Sequence, residues 1–160
     1  MKKNISIRPA SEKDVGLILQ FIVGLAKYEN LEHEVFATEA ALLATLFCKN
    51  PKAHVIIGEL DGVPCGFALY FYNYSTFLAR PGVYLEDLYV TELSRGSGLG
   101  KALLVYLAKK AKAENCGRLE WSVLDWNKPA IDFYVSIGAR PTDGWTGYRL
   151  DEKAIEKVSS

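Results

Sequence analysis

The sequence predicts a mixed α/β fold, a mainly antiparallel sheet flanked by helices, with elements in the order β-α-α-β-β-β-α-β-α-β. Three observations carry that expectation. Apolar residues recur every three to four positions early in the chain (Val15, Ile18, Ile22, Leu25), the spacing of one helix face. From His54 the period changes to two, as in a half-buried strand. Helical spacing then returns at Leu103, Leu104, Leu107 and Ala111, directly after a glycine-rich run. A chain of 160 residues, 49% hydrophobic and 24% charged, fits a single domain spanning 1–160.

Each element has a local reason. Ile5 and Ile7 alternate with polar neighbours and stop at Pro9, giving a first strand. Ser11, with Asp14 three residues on, caps a helix that ends near Tyr28. Thr38 caps a second, whose apolar face is Leu42, Leu43, Leu46 and Phe47 and which ends at Asn50-Pro51. Residues 55–59 and 66–74 form an antiparallel pair around the turn dipeptide Asp61-Gly62.

A third strand over 83–90 changes phase. Val83 and Leu85 are odd-numbered, Leu88 and Val90 even, and Glu86-Asp87 lies between them. One inserted residue, a β-bulge, keeps both halves on the same face. Beyond the glycines, a helix closes at Gly117, taken as its left-handed cap. Residues 119–124 form a strand, Asn127 caps a short helix with Pro129 in its first turn, and 145–150 form a last strand.

Composition narrows the function classes. Nineteen basic residues balance nineteen acidic ones, so no global field points to nucleic acid or a polybasic membrane contact. The balance is local in origin. Residues 93–113 hold Arg95, Lys101, Lys109, Lys110 and Lys112 and no acid, whereas 28–48 hold Glu29, Glu32, Glu34 and Glu39 and no Lys or Arg. Met1 to Arg8 lacks the apolar run of a secretion signal, and Cys48, Cys65 and Cys116 lack disulfide or metal spacing. The expectation is a cytoplasmic protein without a metal, a membrane span or a nucleic-acid partner.

The chemistry centres on Arg95-Gly96-Ser97-Gly98-Leu99-Gly100-Lys101, placed between a strand and a helix. Glycines there let amides approach an anion at the positive end of a helix. The nucleoside-triphosphate loop is excluded, because Arg95 stands where its first glycine belongs and Ala102 where Ser or Thr belongs. The dinucleotide spacing G-x-G-x-x-G is absent as well. The pattern R-x-x-G-x-G fits Arg95, Gly98 and Gly100.

At these residues the chain resembles the GNAT superfamily of acyl-coenzyme A dependent N-acyltransferases. The likeness extends to Asn127, Phe133, Tyr134 and Gly138-Ala139, which match that family's second cofactor segment. Leu25 to Glu29, Tyr84 to Asp87 and Trp126 to Pro129 look most like its diamine and polyamine branch, the spermidine/spermine and thialysine types. The resemblance implies an acetyltransferase that moves acetyl from acetyl-CoA to a primary amine of polyamine or lysine-like type, by direct transfer in a ternary complex. It also implies a homodimer. Cofactor contacts fall on Leu88, Tyr89, Val90, Arg95, Gly96, Ser97, Gly98, Leu99, Gly100, Lys101, Asn127 and Phe133, and amine contacts on Tyr28, Glu29 and Asp87.

Acyl transfer to an amine needs a proton acceptor, because an alkylamine has a pKa near 10.4 and arrives charged. Glu86 is the first choice, since a mid-strand charge between Leu85 and Leu88 is costly without a purpose. A bulge leaves a backbone N–H free to donate to the acyl oxygen, and the resemblance implies that this donor lies at Leu88 to Val90. Tyr134, still protonated at neutral pH, suits the leaving thiolate. Plainer readings stand beside these: Tyr134 as a core aromatic, Lys109, Lys110 and Lys112 as a solvated face, the cysteines as small hydrophobes. Other amines, such as a peptide N-terminus or an aminoglycoside, and a non-catalytic acyl-CoA sensor are the alternatives. Ser75, Phe77 and Thr146 depart from the polyamine branch, which carries two acids and a Trp near them, and so favour a shorter amine.

Overall fold

The computed structural model describes residues 4–160. Met1, Lys2 and Lys3, on which the reading of the chain's start partly rests, lie outside the described residues. The chain divides into two compact units, Met1–Ser122 and Val123–Ser160.

The first unit carries a five-stranded sheet in sequential order: β1 (Ile5–Pro9), β2 (His54–Leu60), β3 (Val63–Ser75), β4 (Arg80–Val90) and β5 (Leu119–Trp121). The first four run antiparallel, and β5 joins β4 in parallel. Its helices are α1 (Val15–Glu29), α2 (Glu39–Leu46) and α3 (Leu99–Ala113), the last crossing from β4 to β5, as a parallel pair requires. Asp61 and Gly62, both at positive φ (52° and 79°), close the β2–β3 hairpin, the backbone a two-residue turn needs.

Strand alternation sorts the sheet into two faces. Val55, Ile57 and Phe67 join Ile18, Phe21 and Leu46 in a core beneath α1 and α2, and Phe21 stacks on Phe67 at 5.7 Å. On the other face Gly58 lets α3 approach, since a Cβ there would stand 2.9 Å from Leu99 Cδ1. Leu99, Leu103 and Leu107 are fully buried along α3. No helix among the described residues is long and apolar enough to cross a membrane.

The caps at Thr38 and Asn127 form as the sequence predicts, each side chain accepting from the amide three residues on. Ser11 and Asp14 make their capping box around a short 3-10 turn, Glu12–Asp14, that leads into α1. Helix α2 ends at Leu46 rather than at Asn50-Pro51, with Phe47 as its C-cap, whose N–H donates to the Leu43 carbonyl, and three further expectations are corrected. The left-handed residue after α3 is Asn115, φ 55°, rather than Gly117; the Asn side chain tolerates that region, and Gly117 instead makes room for Leu78, whose Cδ1 would lie 2.7 Å from a Cβ. Strand β5 stops at Trp121 rather than 124.

The third correction concerns the second unit, which holds α4 (Lys128–Ser136) and α5 (Glu152–Ser159). Residues 145–150 form no strand. Tyr148 and Leu150 stand two apart, as on one face of a strand, but are 96% and 55% exposed, and a strand needs a partner as well as a pattern. The chain instead ends in α5, capped by Asp151, whose Oδ1 accepts from the Ala154 amide at 2.8 Å.

Candidate active site

The phase change on β4 is a bulge. Leu69 pairs with Asp87 and Tyr70 with Leu85, so Glu86 is the residue without an opposite number. Amide directions agree. Val83 N–H donates to the Arg118 carbonyl at β5, whereas Thr91 N–H donates to Cys65 in β3; both are odd-numbered, and only an inserted residue lets them point to opposite sides.

The bulge has two consequences. Before it, β4 is paired on both sides, with β3 and across Val83–Leu85 with β5. After it, β4 has no strand on its outer side among the described residues. Stepping back by twos from Thr91, the amides of Tyr89 and Asp87 point into the sheet, and those of Leu88 and Val90 point to the open side. Unclaimed N–H groups at an open strand edge are donors for an oxyanion.

The second consequence is electrostatic. Asp87 lies opposite Leu69 and on the same face as Tyr89, the face covered by α1. Burial, with the charges of Glu86 and Glu29, pushes its carboxyl up to about 6. No hydrogen-bond donor of the described residues offsets that desolvation. Glu29, the last residue of α1, is also raised by burial. Glu86 is exposed, so its mid-strand position does not bury its charge, and the desolvated carboxyl is its neighbour. The parity that predicts the bulge contains this signal, for it sends Asp87 inward with Tyr89 and leaves Glu86 as the extra residue.

The glycine loop follows β4 through a 3-10 turn, Glu92–Ser94. Gly96 and Gly98 adopt φ of 77° and 88°, a region that strains any residue with a Cβ. Gly98 is the N-cap of α3, Ser97 Oγ accepts from the Leu99 amide at 3.3 Å, and Ala102 N–H makes the first helical bond, to Gly98. Among the described residues the amides of Gly100 and Lys101 have no backbone acceptor. Those donors sit at the positive helix end with no acid in the first turn, a fit for an anionic group. Lys101 is exposed. Lys110 pairs with Glu114 at 2.6 Å, which agrees with a structural role for that part of the basic block.

In the second unit, Asn127 is buried at the N-terminus of α4, its Oδ1 accepting from the Ala130 amide at 3.4 Å. Phe133 and Tyr134 are consecutive on α4, half-buried, with ring centroids 5.5 Å apart. Among the described residues no three His, Cys, Asp or Glu side chains gather as a metal site.

One strand–helix unit thus carries a glycine loop at a helix start, a bulged strand with open amides and a desolvated acid. Residues 22–139 match the acetyltransferase (GNAT) family, and the chain belongs to that family. It is 36% identical to thialysine N-epsilon-acetyltransferase of Sus scrofa over 98% of both chains. It is also 32% identical to an L-ornithine N5-acetyltransferase of Arabidopsis thaliana, covering 95% of this chain and 86% of that one. Among solved structures, an integron cassette protein from the mobile metagenome of V. cholerae superposes with a TM-score of 0.79 at 27% identity, covering 99% and 98% of the two chains.

Proposed function

We propose that the chain is an acetyl-CoA-dependent N-acetyltransferase acting on a short primary amine of lysine-like or polyamine type, by direct transfer with both substrates bound. The desolvated Asp87 beside Glu29 and Glu86 carries this reading, because an uncompensated acid cluster favours a cation and a carboxyl near 6 is a better base than an ordinary one. The relatives named for thialysine and L-ornithine support an amine that also bears a carboxylate. The aligned Ser75, Phe77 and Thr146, in place of acids and a Trp, support a shorter substrate in the same way.

When bound, acetyl-CoA supplies an activated thioester and an anionic tail. Loop amides from Gly96 to Lys101, with Arg95, receive the tail. Leu88 and Val90 N–H groups receive charge that develops on the acyl oxygen. Asp87 takes the proton of the amine, directly or through water, which moves the base from Glu86 to the acid that burial has made more basic. Glu86 and Glu29 attract and position the cation. In the second unit the family resemblance supports Tyr134 as the residue that would protonate a leaving thiolate, and Asn127 and Phe133 as residues that would contact the cofactor.

We further place the enzyme in the cytoplasm, a reading supported by three free cysteines. We assign it a second copy as partner, supported by exposed apolar side chains at Phe36, Phe77 and Leu93, 85%, 97% and 96% exposed.

Thiol release from acetyl-CoA across a panel of lysine, thialysine, ornithine, spermidine, an aminoglycoside and a peptide amine tests the function. Amino acids with a side-chain amine should turn over fastest, and Tyr134→Phe should slow them about 10- to 100-fold. Acetyl-CoA binding without turnover of any amine would establish a sensor instead.

A further inference from the structure

Arg95 and Tyr28 meet in a way that neither of their roles above explains. The guanidinium carbon of Arg95 lies 4.4 Å from the centroid of the Tyr28 ring. Its Nε donates to the Val90 carbonyl at 3.3 Å. The first contact covers a face of the guanidinium plane, and the second uses one of its five N–H groups. The four terminal N–H groups lie on the edge of that plane and keep their capacity for an anion. Among the described residues no carboxylate stands within ion-pair distance of Arg95, so its charge is not neutralised by the chain.

Tyr28 is the penultimate residue of α1. The carbonyl end of a helix favours a cation, and an aromatic face adds attraction of its own. An arginine otherwise samples many rotamers, whose loss on binding weakens affinity. Held against the ring and the Val90 carbonyl, Arg95 has already given up much of that freedom.

We propose that Tyr28 is a positioning residue for the cofactor side of the site: its ring holds the Arg95 guanidinium by the face, so that the edge is presented to a phosphate group. This rests on the reading of the loop as the acetyl-CoA site. It moves Tyr28 from amine contact to anion recognition, and it makes the last turn of α1 serve both ligands, the ring of Tyr28 through Arg95 and the carboxylate of Glu29 directly.

Calorimetric titration of acetyl-CoA into the full chain tests it, with Tyr28→Phe, Tyr28→Leu, Arg95→Met and the Tyr28→Leu/Arg95→Met pair. Tyr28→Leu should weaken binding about two- to fivefold, the worth of an exposed cation–π contact. Tyr28→Phe, which keeps the ring, should retain the wild-type affinity, and the double variant should bind no more weakly than Arg95→Met alone. Arg95→Lys supplies a second route if Tyr28→Leu does not fold: it keeps the charge, loses the planar face, and should weaken binding as much as Tyr28→Leu. Unchanged affinity in Tyr28→Leu or Arg95→Lys, or additive losses in the double variant, overturns the proposal while leaving the loop assignment intact. Failure of the wild-type chain to bind acetyl-CoA overturns both.

Discussion

The two halves of β4 are built from similar residues and do opposite work. Over Val83–Leu85 the strand has partners on both sides, and Val83 and Leu85 are 0% and 2% exposed. Beyond Glu86 the same strand is paired only with β3, its outer amides at Leu88 and Val90 are open, and an acid takes an inward position at Asp87. One extra residue separates them. A bulge can end pairing on one edge and re-aim side chains without interrupting the hydrophobic face, so a fold reserves it for the place where donors must be left unmade. Stability resides in the first half, and the proposed reactivity in the second.

Substitutions can break that division. Leu85→Ala should have the largest effect on folding, about 2–5 kcal/mol in denaturant unfolding, because it empties a fully packed position. Its kcat per folded molecule should change far less than its stability does. Equal losses of both would show that the halves are not separate.

Asp87→Asn should do the reverse. Loss of a positioned base costs about 10²- to 10⁴-fold in kcat/KM, and the wild-type acid limb near pH 6 should disappear with it. Stability should rise. The folded carboxyl titrates above its ordinary value, so the native state binds this proton more tightly than the unfolded chain does, and its charge opposes folding above about pH 6. The variant should therefore gain roughly 1–3 kcal/mol over wild type at pH 8, a gain that shrinks below pH 6 and vanishes near pH 4. A destabilised variant at pH 8 would contradict the assignment.

The smallest expected change sharpens the contrast between neighbours. Glu86 is exposed and acts on Asp87 through its charge. Glu86→Gln should lower kcat/KM less than tenfold and shift the acid limb to lower pH, since removing a nearby negative charge makes Asp87 easier to ionise. A loss as large as that of Asp87→Asn would return the base to Glu86.

Much of this was legible in residue order. The odd-to-even change between Leu85 and Leu88 located the bulge, because a period of two leaves no other way to keep four aliphatics on one face. Thr38 and Asn127 announced their helices through short-range hydrogen bonds that depend on three or four residues. The glycine pattern located the turn into α3, since positive φ at Gly96 and Gly98 and a helix start are local properties.

What lay beyond the sequence was whatever depends on a partner far along the chain. Residues 145–150 hold apolar residues suited to a strand but pair with no strand among the described residues. The stacking of Arg95 on Tyr28 joins residues 67 positions apart, from 95 − 28, once β4 and α1 are packed. Which of two adjacent acids is desolvated was decided in the same way. Sequence by itself determined a glycine loop at a helix start and the adjacent acids Glu86 and Asp87, because those are matters of residue type and local spacing. Parity sends Asp87 inward, but only tertiary structure desolvates it, because the cover of α1 over that face and the field of Glu29 exist only in the folded chain.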